Sequence, residues 1–158
     1  MADPAPAPAR PRKPGLRAKV AFLSAPGSYP EKPAAVEVVQ THMSYVFLTD
    51  RHAYKLKKPV RYDFLDFSTL EARRADCEEE LRLNRRLARD VYLDIVPLVS
   101  VRDGGLALGG DGEVVDWLVK MRRLPARLML ERAIRDGNVY RDDVRRCALA
   151  LADFFRRS

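Results

Sequence analysis

The sequence predicts an α+β fold, in which an antiparallel sheet is crossed by one helix and followed by further helices. Runs of β-branched and aromatic residues between positions 36 and 58 predict the first strands. A helix signature follows over 69–88, and a second group of strand-like runs occupies 94–121 before a helical C-terminal part. Strands grouped on both sides of a single helix, rather than alternating with helices, are typical of α+β domains.

The composition of the 158 residues excludes several classes of protein. Hydrophobic residues make up 47% of the chain, enough for the core of one domain, so a wholly disordered or fibrous protein is excluded. No apolar run approaches the roughly 18–20 residues of a membrane span, and the N-terminus lacks the apolar region of a secretory signal. The two distant cysteines fit reduced thiols better than a disulfide framework. We therefore expect a cytoplasmic protein without membrane contact.

The formal net charge of +7 raises the question of a polyanionic partner. Residues 51–61 hold five Lys and Arg and no acid, and residues 120–135 hold six against one Glu, whereas 71–90 is balanced. A basic module that binds nucleic acid or another polyanion is therefore one hypothesis. Neither cluster offers interleaved aromatic residues on a stacking face, so nucleic acid is the less favoured partner.

Proline placement sets the N-terminal elements. The Ala/Pro-rich start predicts a disordered tail over 1–19, and further prolines predict an irregular segment over 24–34. Strands are predicted over 36–40, 43–48 and 53–58, where Pro59 ends the third because it cannot donate to a β-ladder. A loop rich in aromatic residues follows.

The remaining elements follow from cap and turn signals. Ser68 and Glu71 form a predicted capping box for a helix that ends near Ala88. Glycine-rich turns separate predicted strands over 94–101, 106–108 and 113–121. Pro125 is predicted to open a helix that ends at Gly137, and a last helix is predicted over 142–157.

The helix over 69–88 carries a carboxylate on its predicted apolar face. At 100° per residue, Leu83, Leu87 and Cys77 fall on the buried stripe, and Glu80 falls among them. A buried carboxylate needs a cation. Alternation along the third strand puts Ala53, Lys55 and Lys57 on one face, so these lysines are the candidate donors. A plain structural ion pair and a ligand-binding pair explain this pattern equally well.

Five stretches then identify a resemblance. They are THMSYVFL at 41–48, AYKLKKPV at 53–60, FLDFSTLEARR at 64–74, CEEELRLNRRLA at 77–88 and DVYLDIVPLV at 90–99. Together they closely resemble the aminoglycoside-phosphotransferase-like proteins of bacteria, which have a protein-kinase-like fold and are in some cases fused to a C-terminal P-loop ATPase domain. The resemblance covers about residues 20–158, and 41–99 is its most specific part.

The resemblance implies roles for the strand and helix residues. Lys55 is similar to the lysine that contacts nucleotide phosphates, with Glu80 as its helix partner, in the manner of a kinase. Ala53 is similar to the residue that forms a wall of the adenine pocket. Lys57, on the same strand face, is the alternative candidate for the lysine that contacts the phosphates.

The resemblance also implies roles for two backbone segments. Residues 117–123, with Lys120 and Met121, are similar to a last strand and hinge whose backbone would bind adenine. The loop at 41–44 stands where kinases place glycines over the phosphates, but it contains no G-x-G-x-x-G. His42 and Ser44 are its candidate hydrogen-bond donors to phosphate. An ordinary role of these two residues in the turn is the alternative.

The catalytic part of such a kinase is not found in this sequence. An H-G-D-x-x-x-x-N segment and a metal-binding Asp do not occur in it. The expected organisation is therefore a kinase-like N-lobe and hinge over 20–123 and the start of a helical C-lobe over 124–158, without a catalytic residue or metal ligand. We expect the chain to bind ATP with Mg²⁺ held elsewhere, and to phosphorylate a small-molecule hydroxyl only if a catalytic lobe is supplied; whether this chain is itself an enzyme stays open.

Overall fold

The computed structural model describes residues 13–102 and 104–157. In chain order its helices and strands are α1 (Leu16–Leu23), β1 (Glu37–Gln40), β2 (Ser44–Leu48), β3 (His52–Lys57), β4 (Arg61–Tyr62), β5 (Leu65–Asp66), α2 (Leu70–Ala88), β6 (Tyr92–Ser100), β7 (Leu106–Leu108), β8 (Glu113–Arg122), α3 (Leu130–Arg135) and α4 (Arg141–Arg157). Two 3₁₀ turns lie at Pro26–Ser28 and Ala126–Leu128. None of the helices in these ranges is long and apolar enough to span a membrane.

Six strands form one antiparallel sheet in the order β1-β2-β3-β8-β6-β7. The last strand in sequence, β8, lies between β3 and β6 and pairs with both. Helix α2 joins β3 to β6 and packs on β6 and β8. An antiparallel sheet with a single helix crossing between its strands confirms the predicted α+β class.

The hydrophobic core lies on the sheet face opposite α2. Tyr54 and Leu56 alternate with the lysines of β3, so they point away from α2 and toward the N-terminal segment. There they join Leu23, Tyr29 and Phe47 in one buried cluster. The N-terminal segment therefore closes one face of the sheet, and α2 closes the other.

The predicted disordered tail over 1–19 is wrong at its C-terminal end. Residues 1–12 lie outside the described residues, but α1 begins at Leu16. Leu16, Val20 and Leu23 recur at helical spacing and pack against the core. Lys19 lies among them because its ammonium group bonds to Asp116 Oδ2 at 2.7 Å. The sequence alone does not show that Lys19 is buried against a distant carboxylate, so the start of this amphipathic helix was predicted to belong to a disordered tail.

Helix α2 begins one residue later than its capping box predicts. The Thr69 hydroxyl accepts the Ala72 N–H at 3.1 Å, whereas the Ser68 hydroxyl bonds to Asp66. The predicted buried positions Leu83 and Leu87 are exposed. Cys77 is buried as predicted, and Arg73 is buried with it. Arg73 bonds to buried Asp116 and turns that side of the helix to the sheet.

The segment after β8 is less regular than predicted. Instead of one helix from Pro125 to Gly137, a 3₁₀ turn precedes α3, and Met129 between them has extended backbone (ψ 130°). Gly137, with φ +69°, follows α3 as predicted for a helix end. Helix α4 matches the predicted last helix within a residue. The aromatic loop after β3 is a short hairpin, β4–β5, in which Tyr62 and Phe64 stack.

Candidate functional site

A groove of about 540 Å³ lies on the α2 side of the sheet, between the β1–β2 loop and the start of β6. Strand β3 supplies Lys55 to its floor, α2 supplies Glu80, and the loop supplies residues 41–44. Tyr92 of β6 and Met121 of β8 complete the lining. The period of two along β3 and the helical period of α2 therefore bring a cation and an anion to the same groove.

An apolar cavity of about 470 Å³ adjoins this groove. Its walls include Leu48, Ala53 and Leu124, and it shares Tyr92 and Met121 with the groove. One end of the combined cleft is thus charged, and the other is apolar and bordered by the chain that leaves β8. Each cavity has a volume usual for small-molecule sites.

Glu80 accepts hydrogen bonds from both lysines of β3. Lys55 Nζ lies 3.0 Å from Oε1 and 3.1 Å from Oε2, and Lys57 Nζ lies 2.6 Å from Oε2. Burial by itself would raise the pKa of Glu80, but the hydrogen bonds and charges of Lys57 and Lys55 outweigh it and hold that pKa below its ordinary value. Glu80 is therefore a permanent anion at neutral pH.

The two lysines differ in exposure. The Lys57 side chain is 4% exposed and also bonds to Asp76, whereas the Lys55 side chain is 30% exposed. Burial opposes the charge on Lys57, but the hydrogen bonds that its ammonium group donates to Asp76 and Glu80 outweigh that effect and raise the pKa of that group. Lys57 is therefore a buried structural cation, and Lys55 is the lysine that a molecule in the groove can touch.

The β1–β2 loop is a tight turn held by its own polar groups. The Thr41 N–H donates to the Ser44 carbonyl at 2.9 Å, and the Ser44 N–H donates to the Thr41 hydroxyl at 3.0 Å. Lys58 donates to the Thr41 carbonyl through Nζ and to the Met43 carbonyl through its backbone N–H. Ser44 is buried at the start of β2, and His42 is exposed on the rim; both line the groove.

Lys120 and Met121 lie within β8, inside the strand predicted over 113–121. Their backbones pair with Tyr54 and Ala53 of β3, and β6 pairs with both from the other side. The Lys120 ammonium lies 5.7 Å from the Tyr54 ring centre, on the face opposite the groove. Met121 lines both cavities. Strand pairing continues to Arg122, so the chain leaves the sheet later than the sequence predicts.

Tyr92 is the site residue that sequence reasoning missed. The predicted strand began at residue 94, whereas β6 begins at Tyr92 and a register shift between Tyr92 and Asp94 turns the ring into the cleft. Burial and the nearby charge of Glu80 raise the pKa of its hydroxyl. An aromatic residue just before a strand was the only signal available.

The basic clusters are largely occupied within the protein. In 51–61, Lys55 and Lys57 pair with Glu80, and the Lys58 ammonium lies 4.8 Å from the Tyr45 ring centre. In 120–135, three arginines pair with nearby acids, as Arg123–Glu37, Arg132–Asp136 and Arg135–Glu131. Much of the charge that suggested a polyanion surface therefore has an internal partner.

Metal binding has no candidate in the part of the chain that the structure describes. Among residues 13–102 and 104–157, no group of three or more His, Cys, Asp or Glu side chains is placed to hold an ion.

Comparison with known proteins found relatives in mycobacteria. Uncharacterized proteins of Mycobacterium bovis and of two strains of Mycobacterium tuberculosis are 36% identical to this chain over 123 residues. The match covers 78% of this chain and 23% of each relative, so the chain spans about a quarter of their length. No family model matches the chain. No solved structure matches it either.

Proposed function

We propose that the cleft binds ATP, and that the chain is the nucleotide-binding N-lobe of a kinase-like small-molecule phosphotransferase, of the aminoglycoside-phosphotransferase-like type that its sequence resembles. The observation that carries the proposal is the Lys55–Glu80 pair in a groove that adjoins an apolar cavity. A strand lysine oriented by a helix glutamate is the arrangement with which kinases hold nucleotide phosphates.

The charged end of the cleft suits phosphate. An ammonium group has three donors, and the Glu80 carboxylate fixes the position of the Lys55 ammonium without covering it. The ammonium can therefore donate to a phosphate oxygen while it keeps a bond to Glu80. His42 on the rim adds a polar side chain beside the space where phosphates would lie.

The apolar end suits a flat base. Ala53 is small, so it leaves room over β3, and Leu48 and Met121 supply side chains that can pack on both faces of a ring. The chain after β8 borders the same cavity at Leu124, and its backbone is the candidate partner for the polar edge of the base. Adenine binds in this way through one apolar slot and a few backbone groups.

The proposal divides the chain into an N-lobe, residues 20–123 together with α1, and the beginning of a helical lobe. Transfer of the γ-phosphate to a hydroxyl needs an Asp and Asn segment and Mg²⁺ ligands, which the resemblance assigns to a catalytic lobe. We therefore expect nucleotide binding, without phosphotransfer, from these 158 residues.

Polyanion binding has weaker support because so many of the basic residues pair internally.

Isothermal titration calorimetry with ATP tests the proposal. Lys55→Met should abolish binding and still fold, since Lys57 remains to neutralise Glu80. Lys120→Met is the matched control, because Lys120 lies on the neighbouring strand with its ammonium group on the opposite face, and it should bind ATP as the wild type does. Equal ATP affinity for Lys55→Met and the wild type, or equal losses in both variants, would refute the assignment.

A further inference from the structure

The two lysines that contact Glu80, two positions apart on β3, have different surroundings. Lys57 contacts two carboxylates, Asp76 and Glu80, and lies 5.3 Å from the centre of the Phe67 ring. A ligand in the groove cannot reach its ammonium group without displacing those partners. Among the described residues, Lys55 has Glu80 as its sole carboxylate partner and remains partly exposed. The buried lysine therefore contributes to the site through Glu80 rather than by direct contact.

We propose that Lys57 is a positioning residue that keeps Lys55 available to the ligand phosphates. It does so by neutralising Glu80 and Asp76, so that Lys55 is not needed as their counter-ion. This inference rests on the proposed function, because it assigns a role within that binding site.

The charges of this cluster explain the role. Two ammonium groups and two carboxylates sum to zero, so the groove does not repel an incoming polyphosphate. Without Lys57, the two carboxylates would face Lys55 alone, and their attraction would hold it away from the ligand. Both ammonium groups contact Glu80 Oε2, at 3.1 and 2.6 Å, so they lie within about 6 Å of each other. Removing a unit charge at that distance from the phosphate-binding group changes affinity by about tenfold at an intermediate dielectric constant.

Two variants of the full chain separate this role from simple packing. Lys57→Met removes the positive charge and is expected to weaken ATP binding about tenfold by calorimetry. Asp76→Asn removes a negative charge from a partly exposed side chain, so it should fold and bind ATP at least as tightly as the wild type. A weaker ATP affinity in Lys57→Met, together with an unchanged or stronger affinity in Asp76→Asn, fits the charge balance. ATP affinity unchanged in folded Lys57→Met, or weakened equally in Asp76→Asn, would overturn it; the Asp76→Asn result decides if Lys57→Met does not fold.

A measurement without nucleotide keeps this inference distinct from the proposed function. The rate at which an acetylating reagent modifies Lys55, followed by mass spectrometry, reports how firmly its amine is held by Glu80. In Lys57→Met the acetylation of Lys55 should slow several-fold, because Lys55 becomes the counter-ion of both carboxylates and its amine is held more firmly. An unchanged rate in the variant contradicts the role of Lys57 whether or not ATP binds. Absence of ATP binding to the wild type, with a slowed rate in the variant, contradicts the proposed function alone.

Discussion

Asp116→Asn removes the negative charge from a buried cluster that joins both sides of the sheet. The Asp116 side chain is 1% exposed, and its carboxylate accepts hydrogen bonds from Lys19 Nζ of α1 at 2.7 Å and from Arg73 Nε of α2 at 2.8 Å. Asparagine keeps the shape but leaves two buried cations without a counter-ion, and it turns an amide NH₂ toward one of them. Removing one partner of a buried ion pair costs about 3–5 kcal/mol.

The lower end of that range is expected because both cations keep backbone partners. Lys19 Nζ also donates to the Val115 carbonyl at 2.7 Å, and Arg73 donates to the Phe67 carbonyl at 2.9 Å. We therefore expect a loss of about 3 kcal/mol in the free energy of unfolding. With a urea slope of about 1–3 kcal/mol/M, this shifts the urea midpoint down by at least about 1 M.

Urea denaturation followed by circular dichroism measures the shift. Glu131→Gln is the control, since it also removes one carboxylate, from an exposed pair with Arg135 on α3. Its midpoint should match that of the wild type, because exposed ion pairs contribute little. If Asp116→Asn and Glu131→Gln had the same midpoint, the buried cluster would not join the elements as described.

Three further predictions concern other groups. The pKa of Glu80 is held below its ordinary value of 4.5, so the stabilisation by this carboxylate is present above pH 4.5 and is lost as the pH falls through the lower pKa of the folded state. The difference in unfolding free energy between the wild type and Glu80→Gln should therefore shrink on acidification. A difference that stays constant with pH would contradict the lowered pKa. Burial raises the pKa of the Cys77 thiol to about 12, whereas Cys147 is exposed. A disulfide reagent at about pH 8 should therefore titrate one thiol in the native chain and two after unfolding. Rapid reaction of both thiols in the native chain would contradict the burial of Cys77. Thr69→Ala should lower stability by about 1 kcal/mol and Ser68→Ala by less, as measured by thermal unfolding, because Thr69 caps α2. A larger loss in Ser68→Ala than in Thr69→Ala would show that Ser68 is the N-cap, as the capping box predicts.

The parts of the fold that the sequence predicts well are those set by local patterns. Alternation of β-branched and aromatic residues located β2 and β3, and glycine turns located β7 and β8, because a strand with one buried face shows a period of two. The same reasoning placed Glu80 on the inner side of α2 with two lysines opposite it, and the structure brings those three side chains together. Local periodicity and the cost of burying a charge were enough for that much.

The differences arise where a distant residue decides. Helix α1 and the rotation of α2 both depend on Asp116, a carboxylate far from either helix in sequence, so Lys19 and Arg73 read as surface residues until their partner is known. The position of Tyr92 depends on a register shift against β8, which no local pattern reveals. The choice between Lys55 and Lys57 depends on relative burial, since strand alternation puts both on one face.

The location of bound ATP tests the central proposal most directly. A titration of the ¹⁵N-labelled chain with ATP, followed by amide chemical shifts, reports the site without any substitution. We expect the largest shifts in the 41–44 loop, at Lys55 and Glu80, and in the segment 121–124 after β8, since these residues line the two adjoining cavities. Shifts confined to other surfaces, or no shifts at saturating ATP, would contradict a nucleotide site in this cleft.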